Sequence, residues 1–194
     1  MTQKAESAES YQQNKSIKMK RPKVTAYIAT SVDGYIARSD GSLDWLEKLP
    51  GTPAEYGFTD HYANIDAIIL GRNTYETIIN FPQWPYSDKR VIVLSNTKTG
   101  PVNFAKIYSG DLNKLLSNLF SDGIKHIWVD GGKTITSFLE QQLVDRLVIS
   151  IIPVILGSGI PLFGKIKQEI NSKLIASQSY NSGLVQNTYE IHYS

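Results

Sequence analysis

The chain has 194 residues, 41% hydrophobic and 20% charged, with a formal net charge of +2 and no cysteine. That length and balance fit one soluble domain with a sizeable core, and they exclude a disulfide framework, a thiolate zinc site and a cysteine nucleophile. No run approaches the roughly 18 apolar residues of a membrane span, and outside the basic segment Lys15–Lys23 nothing marks a nucleic-acid surface.

In chain order, residues 1–22 are polar and without periodicity and read as a flexible tail ahead of a domain over 23–194. They lack the apolar core of a signal peptide, which favours a cytoplasmic protein. Val24–Thr30 is a β-branched and aromatic run that reads as a strand, and Asp33-Gly34 turns the chain. Residues 38–54, with Gly41, Pro50, Gly51 and Pro53, read as a long irregular loop of the kind that carries function. A helix is predicted over 54–64, a buried strand over Ala67–Leu70, and a short helix over Gly71–Asn80 that Pro82 stops. Arg90–Leu94 reads as a strand followed by the polar loop Ser95–Gly100, and Lys106–Tyr108 as a short strand. Asp111–Phe120 sets Leu112, Leu115, Leu116 and Leu119 on one helical face, with Asp111 as N-cap. Then come a strand over Ile124–Val129, a helix over about 134–142 and a very apolar strand over Leu147–Leu156. Gly157–Phe163 is a turn-rich link, and Asn181-Ser-Gly183 joins two final strands, Lys173–Tyr180 and Leu184–Tyr193, as a hairpin. Strands alternating with helices imply a mainly parallel α/β sheet covered on both faces, with the hairpin adding antiparallel edge strands.

Three strand ends then fall on one sheet edge, where open α/β sheets bind ligands. At Leu70-Gly71-Arg72 a strand runs straight into a helix, whose opening N–H groups suit an anion. Arg72 either adds a guanidinium for a phosphate or pairs with a surface carboxylate, and Gly71 either frees the turn or simply packs closely. Ser95, Asn96 and Lys98 follow the next strand, either as adenosine contacts or as ordinary turn residues. Gly131, Gly132, Lys133 and Thr134 follow the third, where bare backbone and a helix N-terminus suit a pyrophosphate. His61, His126 and His192 have no metal-motif spacing, and no metal is assigned.

The segments Ile28–Ala37 (Ile-Ala-Thr-Ser-Val-Asp-Gly-Tyr-Ile-Ala), Leu70–Glu76, Val129–Gly132 and Pro153–Phe163, in that order, resemble the dihydrofolate reductase superfamily. Within it they resemble the branch that contains the riboflavin-biosynthesis reductase domain. The resemblance covers about 24–193. It implies a dihydrofolate-reductase-like sheet flanked by helices, and an NADPH-dependent enzyme that transfers a hydride to a small heterocyclic, pteridine- or pyrimidine-like substrate. It further implies that Ala29, Ile36 and Ala37 flank the nicotinamide, that Gly71, Arg72 and Thr74 meet the phosphates, that Ser95 and Asn96 lie by the adenosine, and that Gly131–Ile135 crosses the pyrophosphate. Arg72 with Lys98 favours a 2′-phosphate, hence NADPH over NADH. Hydride transfer also needs a proton source. The family's buried acid maps to Glu55, with Ser150 as the hydroxyl beside it. Glu55 is equally a first-turn carboxylate favoured by a helix dipole, and Asp60 is a second candidate. Asp33 either binds substrate or shapes its turn. Pro153–Phe163 looks like the riboflavin-type branch, no residue stands out to clamp a folate glutamate tail, and the deaminase domain usual in riboflavin enzymes is not in this sequence. A true dihydrofolate reductase and a non-catalytic NADP-binding module are the alternatives. The branch commonly pairs, so a homodimer is expected, with no nucleic-acid or membrane partner.

Overall fold

The computed structural model describes residues 20–97 and 102–193. Among them the chain runs β1 (Lys23–Ser31), β2 (Tyr35–Ala37), α1 (Phe58–Ala63), β3 (Ala67–Gly71), α2 (Arg72–Ile78), β4 (Arg90–Leu94), β5 (Lys106–Tyr108), α3 (Leu112–Ser121), β6 (His126–Asp130), α4 (Gly132–Glu140), β7 (Arg146–Ile152), β8 (Ile160–Pro161), β9 (Asn171–Ser179) and β10 (Val185–His192). Eight strands form one sheet in the order β5-β4-β3-β6-β1-β7-β10-β9. Neighbours from β5 to β7 are parallel, while β10 joins β7 and β9 antiparallel.

The apolar runs are continuous because both sheet faces are covered. In β3, Ile69 joins the core under α3 and α4, with Leu116, Leu119, Ile135 and Phe138. Its neighbours Ile68 and Leu70 join the opposite core, with Tyr75 and Ile78 of α2. Leu112, Leu115, Leu116 and Leu119 are the buried stripe of α3, and the Asp111 carboxylate caps it by accepting from Lys114 N–H at 2.8 Å.

Four expectations about the elements need correction. The helix expected over 54–64 is two pieces, a 3-10 turn Pro53–Tyr56 and α1. Gly57 (φ 76°) separates them in a left-handed conformation that a continuous helix cannot pass through. The strand expected to reach Leu156 ends at Ile152, where Pro153 offers no ladder donor. The helix expected over 134–142 starts two residues earlier, at Gly132. The link Gly157–Phe163 holds β8, which pairs antiparallel with β2 as a separate two-stranded sheet. Strands this short are defined by pairing, which local composition does not encode.

Residues 1–19 of the expected tail lie outside the described residues. Its last residues are anchored: both guanidinium Nη atoms of Arg21 donate to the Asp145 carboxylate, at 2.7 and 2.8 Å. The long loop is also held. Trp45 is buried with Ile152 and Leu184 against the β7–β10 end of the sheet.

Candidate active site at the carboxyl edge of the sheet

Because β4, β3 and β6 are adjacent and parallel, with Gly71 in register with Leu94 and Leu70 with Asp130, their carboxyl ends reach one edge side by side. The two helix-opening turns interlock there. A Cβ on Gly71 would stand 2.7 Å from the Thr134 hydroxyl oxygen, and one on Gly131 (φ 95°) would collide with that of Thr74. Gly132 is closed in by the carbonyls of Pro161 and Leu162, 2.7 and 2.9 Å from a Cβ there, and by Ile36. The β2–β8 pair is thereby seated on the Gly131–Gly132 turn, and Ala37 at the end of β2 is buried. The N–H groups of Gly132, Lys133 and Thr134 have no protein acceptor among the described residues, the first bond of α4 being Ile135 N–H to the Gly131 carbonyl at 2.9 Å. Ile135 itself is fully buried in the core under α4.

The other expected cofactor residues border these turns. Ser95 is buried at the end of β4, and Asn96 accepts from the Ser109 hydroxyl at 3.2 Å. Arg72 and Lys133 are exposed, and Arg72 lies 4.0 Å from Glu76. Lys98 lies outside the described residues. Ala29 sits on β1 in register with Ser150 of β7, which is in register with Gln186 of β10.

The expected acids are placed differently from a carboxylate facing Ser150. The Glu55 carboxylate turns back to accept from Thr52 N–H at 2.8 Å, closing a capping box around the 3-10 turn. The partner of Ser150 is instead Gln186, whose Nε2 donates to the Ser150 hydroxyl (2.9 Å), to the Tyr27 phenol (3.0 Å) and to the Tyr56 carbonyl (3.1 Å). An amide nitrogen has two hydrogens, so three acceptors in range make this a shared, tightly held node. The Tyr27 phenol also donates to the Tyr56 carbonyl at 3.0 Å, and burial pushes its pKa up. Asp33 is exposed and accepts from Leu156 N–H (3.1 Å) and Gly157 N–H (2.7 Å). The Ser31 hydroxyl, with those N–H groups, holds its carboxyl below the usual range. It thus ties the first turn to the loop that leads into β8. Asp60 is exposed on α1.

Two further ionisable groups lie near these elements, His61, to which the sequence assigns no metal, and Asp130, to which it assigns no role. His61 stacks on Tyr27 (centroids 4.3 Å apart, planes at 16°) and meets Trp128 edge-on at 5.3 Å. Burial pushes its pKa down to about 4. Asp130 ends β6, where its Oδ1 accepts from Gly131 N–H at 2.8 Å. Part of its surface meets solvent, yet protein surrounds it closely enough that burial pushes its carboxyl up to about 6, against the opposing pull of that one N–H. The signal was the period-2 alternation of β6, which sets Asp130 on the face of Trp128. A shallow, open depression lies between the long loop and the final hairpin, bordered by Pro50, Glu55, Tyr56 and Tyr180.

Among the described residues no helix is long and apolar enough to cross a membrane. The chain is 33% identical over 177 residues to the uncharacterized protein YwjB of Bacillus subtilis, an alignment spanning 88% of this chain and 97% of that protein. Its structure is similar to that of a putative riboflavin biosynthesis protein from Shewanella sp. PV-4, with a TM-score of 0.82 and 36% identity over 88% of this chain and 99% of the other. It shares its fold with the dihydrofolate reductase of Enterococcus faecalis solved in complex with NADP(H), at a TM-score of 0.62 and 16% identity over 88% of this chain and 97% of that one. Residues 22–186 match the family model of the RibD C-terminal domain. The chain therefore belongs to the RibD C-terminal domain family, on a dihydrofolate-reductase-like fold.

Proposed function

We propose that this protein is an NADPH-dependent reductase that transfers a hydride to a small heterocyclic, pteridine- or pyrimidine-like substrate. The observation that carries this reading is the interlocked pair of turns at Gly71–Thr74 and Gly131–Thr134. Their bare backbone and the unpaired N–H groups opening α4 are what a pyrophosphate requires. The glycines let the two turns close on each other's threonines, and the N–H groups of residues 132–134, without a protein acceptor among the described residues, are the part of the edge that fits a dinucleotide's phosphates. In this reading Gly71, Thr74 and Gly131–Thr134 hold the pyrophosphate, Ser95 and Asn96 border the adenosine, and Arg72, exposed at the same edge, faces the 2′-phosphate with Lys98. Ala29, Ile36 and Ala37 flank the nicotinamide end.

NADPH, when bound, supplies the hydride. The chain itself must place the acceptor carbon, exclude water and provide a proton to the neighbouring atom. In this reading the shelf of Ala29 and Ser150, with the node held by Gln186, supports the substrate ring. Asp33 holds the loop that leads into β8 over the site and serves the substrate indirectly.

The test is fluorescence titration of the purified protein with NADPH and NADH, followed by NADPH oxidation across a panel of pteridines and pyrimidines. Binding of NADPH well above NADH, with turnover on one class, supports the reading. Equal binding of the two removes the role of Arg72 and Lys98. NADPH binding without turnover on any substrate points to the non-catalytic module, and nanomolar methotrexate inhibition to a true dihydrofolate reductase. A homodimer is also proposed. β9 is an exposed edge strand carrying Leu174 and Ile175, 51% and 43% exposed, and such an edge needs cover. A sedimentation mass equal to the 21.7 kDa chain rejects it.

A further inference from the structure

Gln186 holds an unused acceptor at the centre of the node. Its Nε2 is committed to the Ser150 hydroxyl, the Tyr27 phenol and the Tyr56 carbonyl. The opposite orientation would set the amide oxygen against the Tyr56 carbonyl oxygen, so these partners fix which end of the carboxamide is which. Oε1 accepts from no protein group among the described residues. The buried side-chain polar atoms without a partner there are Trp45 Nε1, His61 Nε2 and Trp84 Nε1. Gln186 Oε1 is not one of them, so it meets solvent. It lies beside Gly57, where an added Cβ would stand 3.9 Å from it.

Gln186, Ser150 and Ala29 are in register on adjacent strands. They therefore share one sheet face and spread over two strand spacings, about 10 Å. With Ala29 beside the nicotinamide, a ring lying along this row meets the cofactor at one end and the carboxamide at the other. The surroundings carry no charge. No Asp or Glu among the described residues hydrogen-bonds to a member of the node, and the Glu55 carboxylate is turned to Thr52 N–H. Burial raises the pKa of the Tyr27 phenol and lowers that of His61, stacked on it, to about 4, so both are neutral near pH 7. A neutral amide oxygen suits an N–H of a neutral ring. A cationic ring would lose its water there and meet no counter-charge, a cost that one hydrogen bond does not offset.

We propose that Gln186 Oε1 recognises the substrate by accepting from a lactam N–H of its ring, so that the site takes neutral 4-oxo heterocycles and rejects protonated 2,4-diamino ones. The inference rests on the proposed reductase reading, whose substrate class it names. Gln186 is a binding residue in this scheme, and the hydride and proton steps do not pass through it.

The test is calorimetric titration of the NADP⁺-saturated protein with two matched pairs, the 2-amino-4-oxo and 2,4-diamino forms of pyrimidine and of pteridine. Each pair is titrated at pH values on either side of the protonation of its diamino member. The ratio of the two affinities at each pH cancels the titration of the protein and of the cofactor. For the wild type, the diamino compound should lose ground to its oxo partner by up to about tenfold per pH unit below its own pKa, because only its neutral form binds. Gln186→Leu should weaken the oxo compound by about tenfold, the worth of one hydrogen bond, with NADP⁺ affinity unchanged. Gln186→Glu should reverse the pH trend, since a carboxylate favours the protonated ring. A wild type whose relative affinity for the diamino compound holds or rises on protonation overturns the inference. So does a Gln186→Leu protein that melts cooperatively, binds NADP⁺ and keeps the wild-type affinity for the oxo compound, or binding of neither member of either pair. The wild-type comparison decides the matter even where a variant fails to fold. Absence of NADP⁺ binding fails the reductase reading itself.

Discussion

Gly131→Ala is the sharpest test of the interlocked turns. At Gly131, φ is 95° and ψ is 132°, a region essentially confined to glycine, where a residue with a Cβ costs of order 1–3 kcal/mol. The added methyl also runs into the Thr74 hydroxyl, and overpacking of this kind adds about 1 kcal/mol. Together these predict a loss of about 2–4 kcal/mol, which for a domain of this size lowers the melting temperature by roughly 5–15 °C. The assay is urea unfolding at pH 7 beside a thermal melt, for Gly131→Ala alone and combined with Thr74→Ala. The second change clears the contact and leaves the backbone strain, so it should restore only the smaller share. Cofactor affinity should fall more than tenfold in the single variant, because relieving the clash moves the N-terminus of α4. A Gly131→Ala protein within about 0.5 kcal/mol of wild type, with unchanged cofactor affinity, would refute this account of the turn.

Three further outcomes follow from the site. Because the pKa of His61 is depressed from 6.5 to about 4, the unfolded chain binds the extra proton first on acidification. Stability is therefore full above pH 6.5 and is lost progressively as the pH falls towards 4, by at most about 3 kcal/mol; His61→Phe should flatten that slope in urea midpoints taken from pH 7 to 4. Gln186→Leu strips a donor from Ser150, Tyr27 and the Tyr56 carbonyl and should cost about 1–3 kcal/mol; circular dichroism melts that match wild type would show the node to be dispensable. Glu55→Gln keeps an acceptor for Thr52 N–H, because glutamine serves a capping box as glutamate does. It should leave stability within about 0.5 kcal/mol of wild type, and a tenfold loss of turnover, about 1.4 kcal/mol of barrier, would return Glu55 to the chemistry.

How much of this was legible beforehand depended on the range of the interactions involved. The sheet strands were readable because four to six consecutive apolar residues, as in Ala67–Leu70, are needed to feed two cores at once. The leucine stripe of α3 and its Asp111 cap are likewise local. The glycines at 71, 131 and 132 marked strand-to-helix turns for the same reason. What stayed hidden was set by groups distant in sequence: Gln186 replaces an acid beside Ser150 from 36 residues away, and Glu55 spends its carboxylate on Thr52.

By itself, then, the sequence determined the parallel α/β order, the strand-to-helix turns at Gly71 and Gly131–Gly132 and the resemblance to the family, because periodicity and turn chemistry act over a few residues. Tertiary structure alone decided that Thr74 and Thr134 close on opposite glycines, that β2 and β8 sit on the Gly131–Gly132 turn, and that Asp130 stands crowded beside them. Those features depend on how strand ends far apart in the chain meet at one edge, and burial at that meeting point, not residue identity, sets the ionisation of the side chains there.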